Sequence, residues 1–346
     1  MLNRMSAASI AQRTSEGHAS GSIHGRPPLH SGPSMSIPEN HADAARSGRC
    51  AIVGRPNVGK STLLNALLGQ KLVIATPRPG TTRSCVLGVY ASNDPPTQVA
   101  FVDTPGLERP KGALGRVLIN SAKQGLVDCD TIVFVTEAPK AGASLAVHEK
   151  DRTALQALER SNVPVILAIN KVDRLKVKER LFGFIEAYRK NRPFAAVVPI
   201  SATRRTNLDA LLGEIRATLP EGLLYDSDFL TDRPERFFVS ELVREAAMLN
   251  TRQEIPYGIA CDLESYREED GLLRIEGTLI VEKESHKAIV IGSRGETIKK
   301  ISTEARQQIE AFLERKVYLR LWVKVIPGWT RDPTKVRELA IEEGPS

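Results

Sequence analysis

Aromatic residues make up only 5% of the 346-residue chain, with two tryptophans, and cysteine occurs four times. Cys50, Cys85, Cys129 and Cys261 are too widely spaced for paired metal ligands and too few for a disulfide scaffold, so they read as reduced core thiols of a cytosolic protein. No apolar run approaches the roughly 18–20 residues that cross a bilayer, which excludes an integral membrane protein and leaves only peripheral contact. There is no internal repeat, which excludes a solenoid or array. Excess charge is missing from the C-terminal third. Residues 232–346 hold 19 basic and 21 acidic side chains against 29 and 20 in residues 1–231, so the net charge of +7 arises entirely N-terminally. Any nucleic-acid site near the C-terminus must therefore be a local patch.

What is present suffices for cores: 41% of residues are hydrophobic and 26% charged. At roughly 100–200 residues per domain, the length implies two domains and a remainder. Residues 1–48 are rich in Ser, Gly, Pro, Ala and His and have no apolar period, so they read as a disordered extension. Their arginines and scarcity of acids are compatible with organellar import. The lack of an amphipathic helix or secretory apolar core favours a bacterial tail, and a start at Met35 would remove most of it.

From Arg49, short apolar runs (CAIVG, VAFVD, TIVFV, PVILAIN, AAVVPIS) alternate with helical stretches: one through Leu63, Leu64 and Leu67, then others near 113–127, 149–161, 175–190 and 206–218. The last opens at Thr206 or Asn207 and closes at Pro220. This alternation predicts an α/β domain over 49–220 with a mostly parallel sheet covered on both faces. A linker over 221–233 follows. Residues 234–330 then read helix, strand, strand, helix, helix, strand: a helix from Pro234 to Leu249, strands near 257–267 and 272–281, a short helix at 285–291, a longer one to Arg315 and a strand Val317–Val325. This is a small α+β domain, and residues 331–346 read as a tail.

Gly54-Arg-Pro-Asn-Val-Gly59-Lys60-Ser61 fits GxxxxGK[ST] between an apolar strand and a helix. Glycines let backbone N–H groups approach phosphate, Lys60 reaches the β and γ phosphates, and Ser61 offers its hydroxyl to Mg²⁺. Val58 and Thr62 belong to the same cradle. VAFVD ends in Asp103-Thr104-Pro105-Gly106, where Asp103 can hold magnesium through water and the Gly106 N–H can meet the γ phosphate. Asn170-Lys171-Val172-Asp173 and Ser201-Ala202 follow two further strands, at the ends where open α/β sheets bind ligands. A carboxylate accepts two hydrogen bonds from guanine N1–H and its amine, which adenine lacks, so Asp173 is the base reader. Asn170 should brace the loops, Lys171 lie across the base, and the Ala202 N–H meet the guanine oxygen.

These motifs resemble the translation-factor-like GTPases, which implies GTP/GDP and Mg²⁺ as ligands. The resemblance also implies a threonine that closes over Mg²⁺ and the γ phosphate. In Pro79-Gly80-Thr81-Thr82-Arg83 the best match is Thr82, with Thr81 second. Leu107 stands where small GTPases carry a water-orienting glutamine, so unassisted hydrolysis should be slow and rest on Lys60, Thr82 and Gly106. In relatives with a hydrophobic residue there, a P-loop asparagine binds K⁺; Asn57 is the matching residue.

In the second domain, Gly292-Ser293-Arg294-Gly295 is a GxxG between helices, with Lys283, Lys287, Lys299 and Lys300 around it. Together with the order of elements it matches a type II KH domain, in which such a loop grips about four single-stranded nucleotides. Tyr257, Tyr318, Trp322 and Trp329 could stack on bases, although Trp322, within an apolar strand, reads as core. With both modules in view, residues 49–340 resemble the Era family of ribosome-assembly GTPases. The resemblance rests on GRPNVGKSTLLNALLGQKL, PGTTR, VDTPGL, NKVD, EIPYG from Glu254 to Gly258, LIVEKESHKAIVIGSRG and LRLWVKVIPGW ending at Trp329. It implies a GTP-controlled binder of the 3′ end of 16S ribosomal RNA that assists small-subunit maturation and contacts the inner membrane peripherally; a monomer is expected. Turnover discriminates this from a nucleotide-regulated structural RNA binder that hydrolyses negligibly.

Overall fold

A computed structural model describes residues 44–78, 80–104, 114, 128–159, 162–226, 229–252 and 255–341. Pro79, Pro105, Gly106, Leu107, Glu254 and all but Leu114 of the helix expected over 113–127 lie outside the described residues.

The first domain holds a six-stranded sheet ordered β2-β3-β1-β4-β5-β6. Its strands are β1 (Arg46–Val53), β2 (Val86–Asn93), β3 (Pro96–Asp103), β4 (Thr131–Glu137), β5 (Val165–Asn170) and β6 (Ala196–Pro199). All neighbours run parallel except β2, which is antiparallel to β3. Alternate residues of each strand enter two different cores, because helices cover both faces. Cys50, Ile52, Val133 and Val135 meet α1 (Lys60–Leu68) and α4 (Leu208–Thr218), whereas Ala51, Val53, Ile132 and Phe134 meet α2 (Glu149–Ala157) and α3 (Arg180–Arg189). The mostly parallel sheet expected from the sequence is thus present, with one additional strand. β2 is half-exposed and lacks the continuous apolar run that marks its neighbours.

Two boundaries differ from expectation. β1 begins at Arg46, so the fold reaches into the segment read as disordered. The expected linker is bound to the sheet edge: Val89 N–H donates to Leu230 O (2.8 Å), and the Gln98 carboxamide accepts the N–H groups of Leu224 and Tyr225. An edge strand otherwise presents unpaired backbone groups, and this segment satisfies some of them.

The second domain comprises α5 (Glu235–Asn250), β7 (Ala260–Glu269), β8 (Leu272–Val281), α6 (Glu284–Ile291), α7 (Glu296–Leu313) and β9 (Val317–Val325). Its sheet is ordered β7-β8-β9, with β7 antiparallel and β9 parallel to β8. Ile301, Ala305, Ile309 and Leu313, four residues apart on α7, pack with Val243, Ala246 and Ala247 of α5 on one sheet face. The segment from 331 is no loose tail. Asp332 Oδ1 caps α8 (Pro333–Val336) through Thr334 N–H at 2.9 Å, and Val336 is buried with Trp329 against Ala260 and Ile280.

Candidate nucleotide site and nucleic-acid interface

The P-loop runs from the end of β1 to the start of α1. Gly59, at φ 100°, is where α1 begins, and a Cβ there would lie 2.5 Å from Asn170 Nδ2. Only glycine permits that approach, which locks the loop to the strand end carrying the base motif. Asn170 is 2% exposed; its Nδ2 donates to Val58 O (2.8 Å), and its Oδ1 accepts the N–H groups of Lys171 (2.8 Å) and Ala202 (3.0 Å). It therefore ties three loops together, as a brace must. The Ala202 N–H, expected to face a guanine oxygen, is instead held by this carboxamide, which gives a buried donor its partner. Lys171 Nζ crosses to Asn57 O (2.7 Å) and pairs with Glu137 (3.3 Å), and Ser201 Oγ donates to Asp173 Oδ1 at 2.6 Å. Asp173 itself is solvent-exposed at the strand end.

Lys60 is buried and its ammonium donates to the carbonyls of Gly54 (3.1 Å) and Arg55 (3.3 Å), beneath the loop crest. Thr104, also buried, donates to Ile52 O at 2.9 Å. A pocket lined by Asn57, Gly59, Lys60, Ser61 and Thr62, and across from them by Ala75, Thr76, Arg78, Gly80, Thr81 and Thr82, opens above.

Asp103, at the end of β3, is wholly buried. Its Oδ2 accepts from Ser61 Oγ (2.9 Å) and Thr82 Oγ1 (3.1 Å), and the two hydroxyls are 3.0 Å apart. Its Oδ1 has no partner. Desolvation raises the carboxyl pKa, while the Lys60 charge and the two hydroxyl bonds oppose the rise. Converging hard oxygens around a carboxylate with an orphaned buried atom fit a magnesium ion. Thr81 does not join them; its Oγ1 bonds Thr76 Oγ1 (2.6 Å) and Arg78 O (2.8 Å).

Sequence reasoning missed what surrounds Thr82. Arg83 is buried and donates to Ile259 O (2.8 Å) and Tyr257 O (2.9 Å) of the second domain, with its guanidinium 5.6 Å from the Trp329 ring centroid. Burial first, and the Arg244 charge second, push its pKa down to about 9, against the pull of Glu241. Arg244 of α5 donates to Thr81 O, and Glu245 accepts the Ala75 N–H (3.0 Å) and pairs with Lys71. Apolar residues also cross over: Ile74 sits in the second domain's core, and Phe237 and Phe238 in the first's. The only signal in the sequence was Arg83 itself, the last letter of PGTTR. A further network pins the P-loop from the other side, where Arg55 lies 3.6 Å from buried Asp151, which accepts from Thr136 and Tyr188 at 2.7 Å each.

In the second domain, Gly292 adopts φ 75°, and a Cβ there would lie 2.2 Å from Thr297 Oγ1. The turn Ser293–Gly295 leads into the N-terminus of the 18-residue α7, whose first N–H groups favour an anion. Lys283, Ser293, Arg294, Lys299 and Lys300 are exposed on and beside this turn, and Lys287 is half-buried. Trp322 corrects an expectation: it is 38% exposed, because alternate β9 residues face away from the helices, whereas Trp329 is fully buried.

Residues 49–171 match the model of the 50S ribosome-binding GTPases, and residues 254–330 that of the KH domain. GTPase Era of Marinobacter nauticus is 42% identical over 311 residues, covering 89% of this chain and 99% of that protein. GTPase Era of Xanthomonas axonopodis pv. citri is 43% identical over 299 residues, covering 86% and 97%. A crystal structure of a variant of Aquifex aeolicus Era bound to GDP.AlF4- superposes with a TM-score of 0.80 at 41% identity, covering 85% and 99%. A structure of Era in complex with MgGDPNP and nucleotides 1506-1542 of 16S ribosomal RNA gives 0.81 at 41%, covering 86% and 99%. With both modules matched in order and nearly the full length of these relatives spanned, the chain belongs to the Era family of GTPases.

Proposed function

We propose that this GTPase binds the 3′-end region of 16S ribosomal RNA through its KH domain under control of the bound nucleotide, and so assists small-subunit assembly. Gly54, Asn57, Val58, Gly59, Lys60, Ser61 and Thr62 cradle the phosphates; Asp103, Thr104, Pro105 and Gly106 make up the segment for the γ phosphate, with the Gly106 N–H as its donor; Asn170, Lys171, Asp173 and Ser201 build the guanine end, where Asn170 holds Ala202. Ser61, Thr82 and Asp103 are the residues that would hold Mg²⁺, which when bound neutralises charge building between the β and γ phosphates. Lys60 and the P-loop N–H groups stabilise charge on the transferring phosphoryl group, and Asn57 offers a ligand for K⁺ beside it. Lys283, Lys287, Gly292, Ser293, Arg294, Gly295, Lys299 and Lys300 grip the RNA backbone.

One observation carries the switch: Thr82, beside Asp103, sits between Thr81 and Arg83, both of which are bonded to the KH domain. Any movement of Thr82 toward a γ phosphate must pull on both anchors, so nucleotide state and domain docking share one segment. A cytoplasmic monomer with peripheral inner-membrane contact completes the reading. Among the described residues no helix is long and apolar enough to cross a membrane, so that contact would be superficial. Single-turnover hydrolysis with and without RNA carrying the 16S 3′ end tests the function. Acceleration by the RNA is expected, and no turnover in either case would leave a structural RNA binder instead.

A further inference from the structure

We propose that the outward face of β9 is a second contact surface for single-stranded RNA, reached from the GxxG turn around the open edge of the sheet. The inference rests on the RNA-binding reading of the KH domain and extends it. Val317, Leu319, Leu321, Val323 and Val325 of β9 pack on the core that α7 and α5 cover. Tyr318, Arg320, Trp322 and Lys324 therefore point to the opposite side. Among the described residues β9 pairs only with β8, which leaves its other edge open, and both α6 and α7, which bracket the GxxG turn, pack on β9. A strand leaving the turn has only this edge to round before it meets the column of four side chains.

The chemistry of the column matches a nucleic-acid single strand. Tyr318 is 43% exposed and Trp322 38%, which leaves part of each aromatic side chain open to solvent. The Arg274 guanidinium lies 5.3 Å from the Tyr318 ring centroid, and that of Arg320 lies 4.7 Å from Trp322. Each aromatic plane thus comes with a cation already beside it, so a base that stacks brings its phosphate toward positive charge. Alternate residues of a strand repeat at roughly 6.6 Å, which sets aromatic, cation, aromatic, cation along a straight line. The carboxylates of this face are Asp262 and Glu264 on β7 and Glu276 on β8; Glu264 accepts from Thr278, and Glu269 at the hairpin end pairs with Arg274. None lies on β9, and the nearest, Glu276, stands opposite Arg320 in register, so a polyanion meets least repulsion along the outer side of the edge column. At the far end, Ile280 is covered by Trp329 and Val336, which stops the track near Lys324.

The two tryptophans make this measurable, because Trp329 is fully buried and Trp322 is not. Full-length protein is loaded with Mg²⁺ and a non-hydrolysable GTP analogue. It is then titrated with a four-nucleotide RNA from the 16S 3′ end and with one of roughly a dozen nucleotides from the same end. The longer RNA should quench tryptophan emission and the shorter should not, and Trp322→Phe should abolish the quenching. Tyr318→Ala combined with Trp322→Ala should weaken the longer RNA at least about tenfold, the worth of one stacked base, and leave the shorter unchanged. Trp322→Tyr, which keeps a stacking plane, should restore most of the loss. Absent quenching, equal affinity of the double variant for the longer RNA, or an equal loss with both RNAs would overturn the proposal. Arg294→Glu with Lys299→Glu tests the GxxG reading separately, since that pair should weaken both RNAs, and retention of both would sink the GxxG site independently of β9.

Discussion

Replacing Arg83 by methionine should separate nucleotide binding from its effect on RNA. The guanidinium donates to two carbonyls of the second domain, Ile259 O at 2.8 Å and Tyr257 O at 2.9 Å. Hydrogen bonds from a charged group contribute about 1.5–3 kcal/mol each, so the pair contributes about 3–6 kcal/mol. Burying the charge, which pushes its pKa down to about 9, works against this and reduces the net to about 2 kcal/mol. A nucleotide can shift domain docking by no more than the interactions that differ between the two states. About 2 kcal/mol corresponds to roughly thirtyfold in RNA affinity, inside the usual range of coupling energies. Methionine keeps an unbranched apolar stem and removes the donors together with the charge beside Trp329. RNA affinity is measured by fluorescence anisotropy with a labelled 16S 3′-end RNA, once with Mg²⁺ and a GTP analogue and once with GDP. In Arg83→Met the ratio of the two affinities should fall toward one. GTP affinity should stay within about threefold, because Arg83 does not line the phosphate pocket. An undiminished ratio in this variant would refute the idea that the anchors of Thr82 carry the signal.

Asp103→Asn keeps the shape of the carboxylate and removes its charge, so the gain in GTP affinity on adding Mg²⁺, read by calorimetry, should nearly vanish. Asp173→Asn exchanges an acceptor for a donor at the base and should weaken GTP at least about tenfold, the loss of one hydrogen bond to a charged group; unchanged affinity would undo the guanine assignment. Asn170→Ala removes the three bonds to Val58, Lys171 and Ala202 and should cost about 3 kcal/mol in chemical denaturation. Replacing K⁺ by Na⁺ should slow hydrolysis, and an unchanged rate would remove Asn57 as a potassium ligand.

The candidate nucleotide site was legible because the P-loop, Asp103 and the base motif follow apolar strands, and parallel strands align those ends at one edge of the sheet. Thr82 joins Ser61 and Asp103, the extremes 42 positions apart, by another route: β2 runs antiparallel with Val86 opposite Asp103, so the loop before β2 lies at the same edge. The hydrogen bond of the Ala202 N–H was not legible, since a buried carboxamide accepts whichever donors the loops bring to it. β2 escaped notice because its second part, Tyr90-Ala-Ser-Asn93, is polar and partly exposed and breaks the apolar run. The interdomain anchors were invisible for a different reason: Arg83 and Arg244 look like ordinary surface cations in sequence, and only tertiary packing makes them buried donors. Trp322 was misplaced because nothing in VYLRLWVKV says which alternate set meets the core; α7, packing on the odd-numbered residues, decides it.

The central claim is that the third phosphate, sensed beside Asp103, governs how the second domain holds RNA. Calorimetry on the unmodified protein tests it most directly, with the 16S 3′-end RNA titrated into protein saturated with Mg²⁺ and a GTP analogue, and then into protein saturated with GDP. Tighter RNA binding in the triphosphate form is the predicted result, and identical binding isotherms for the two forms would contradict the account.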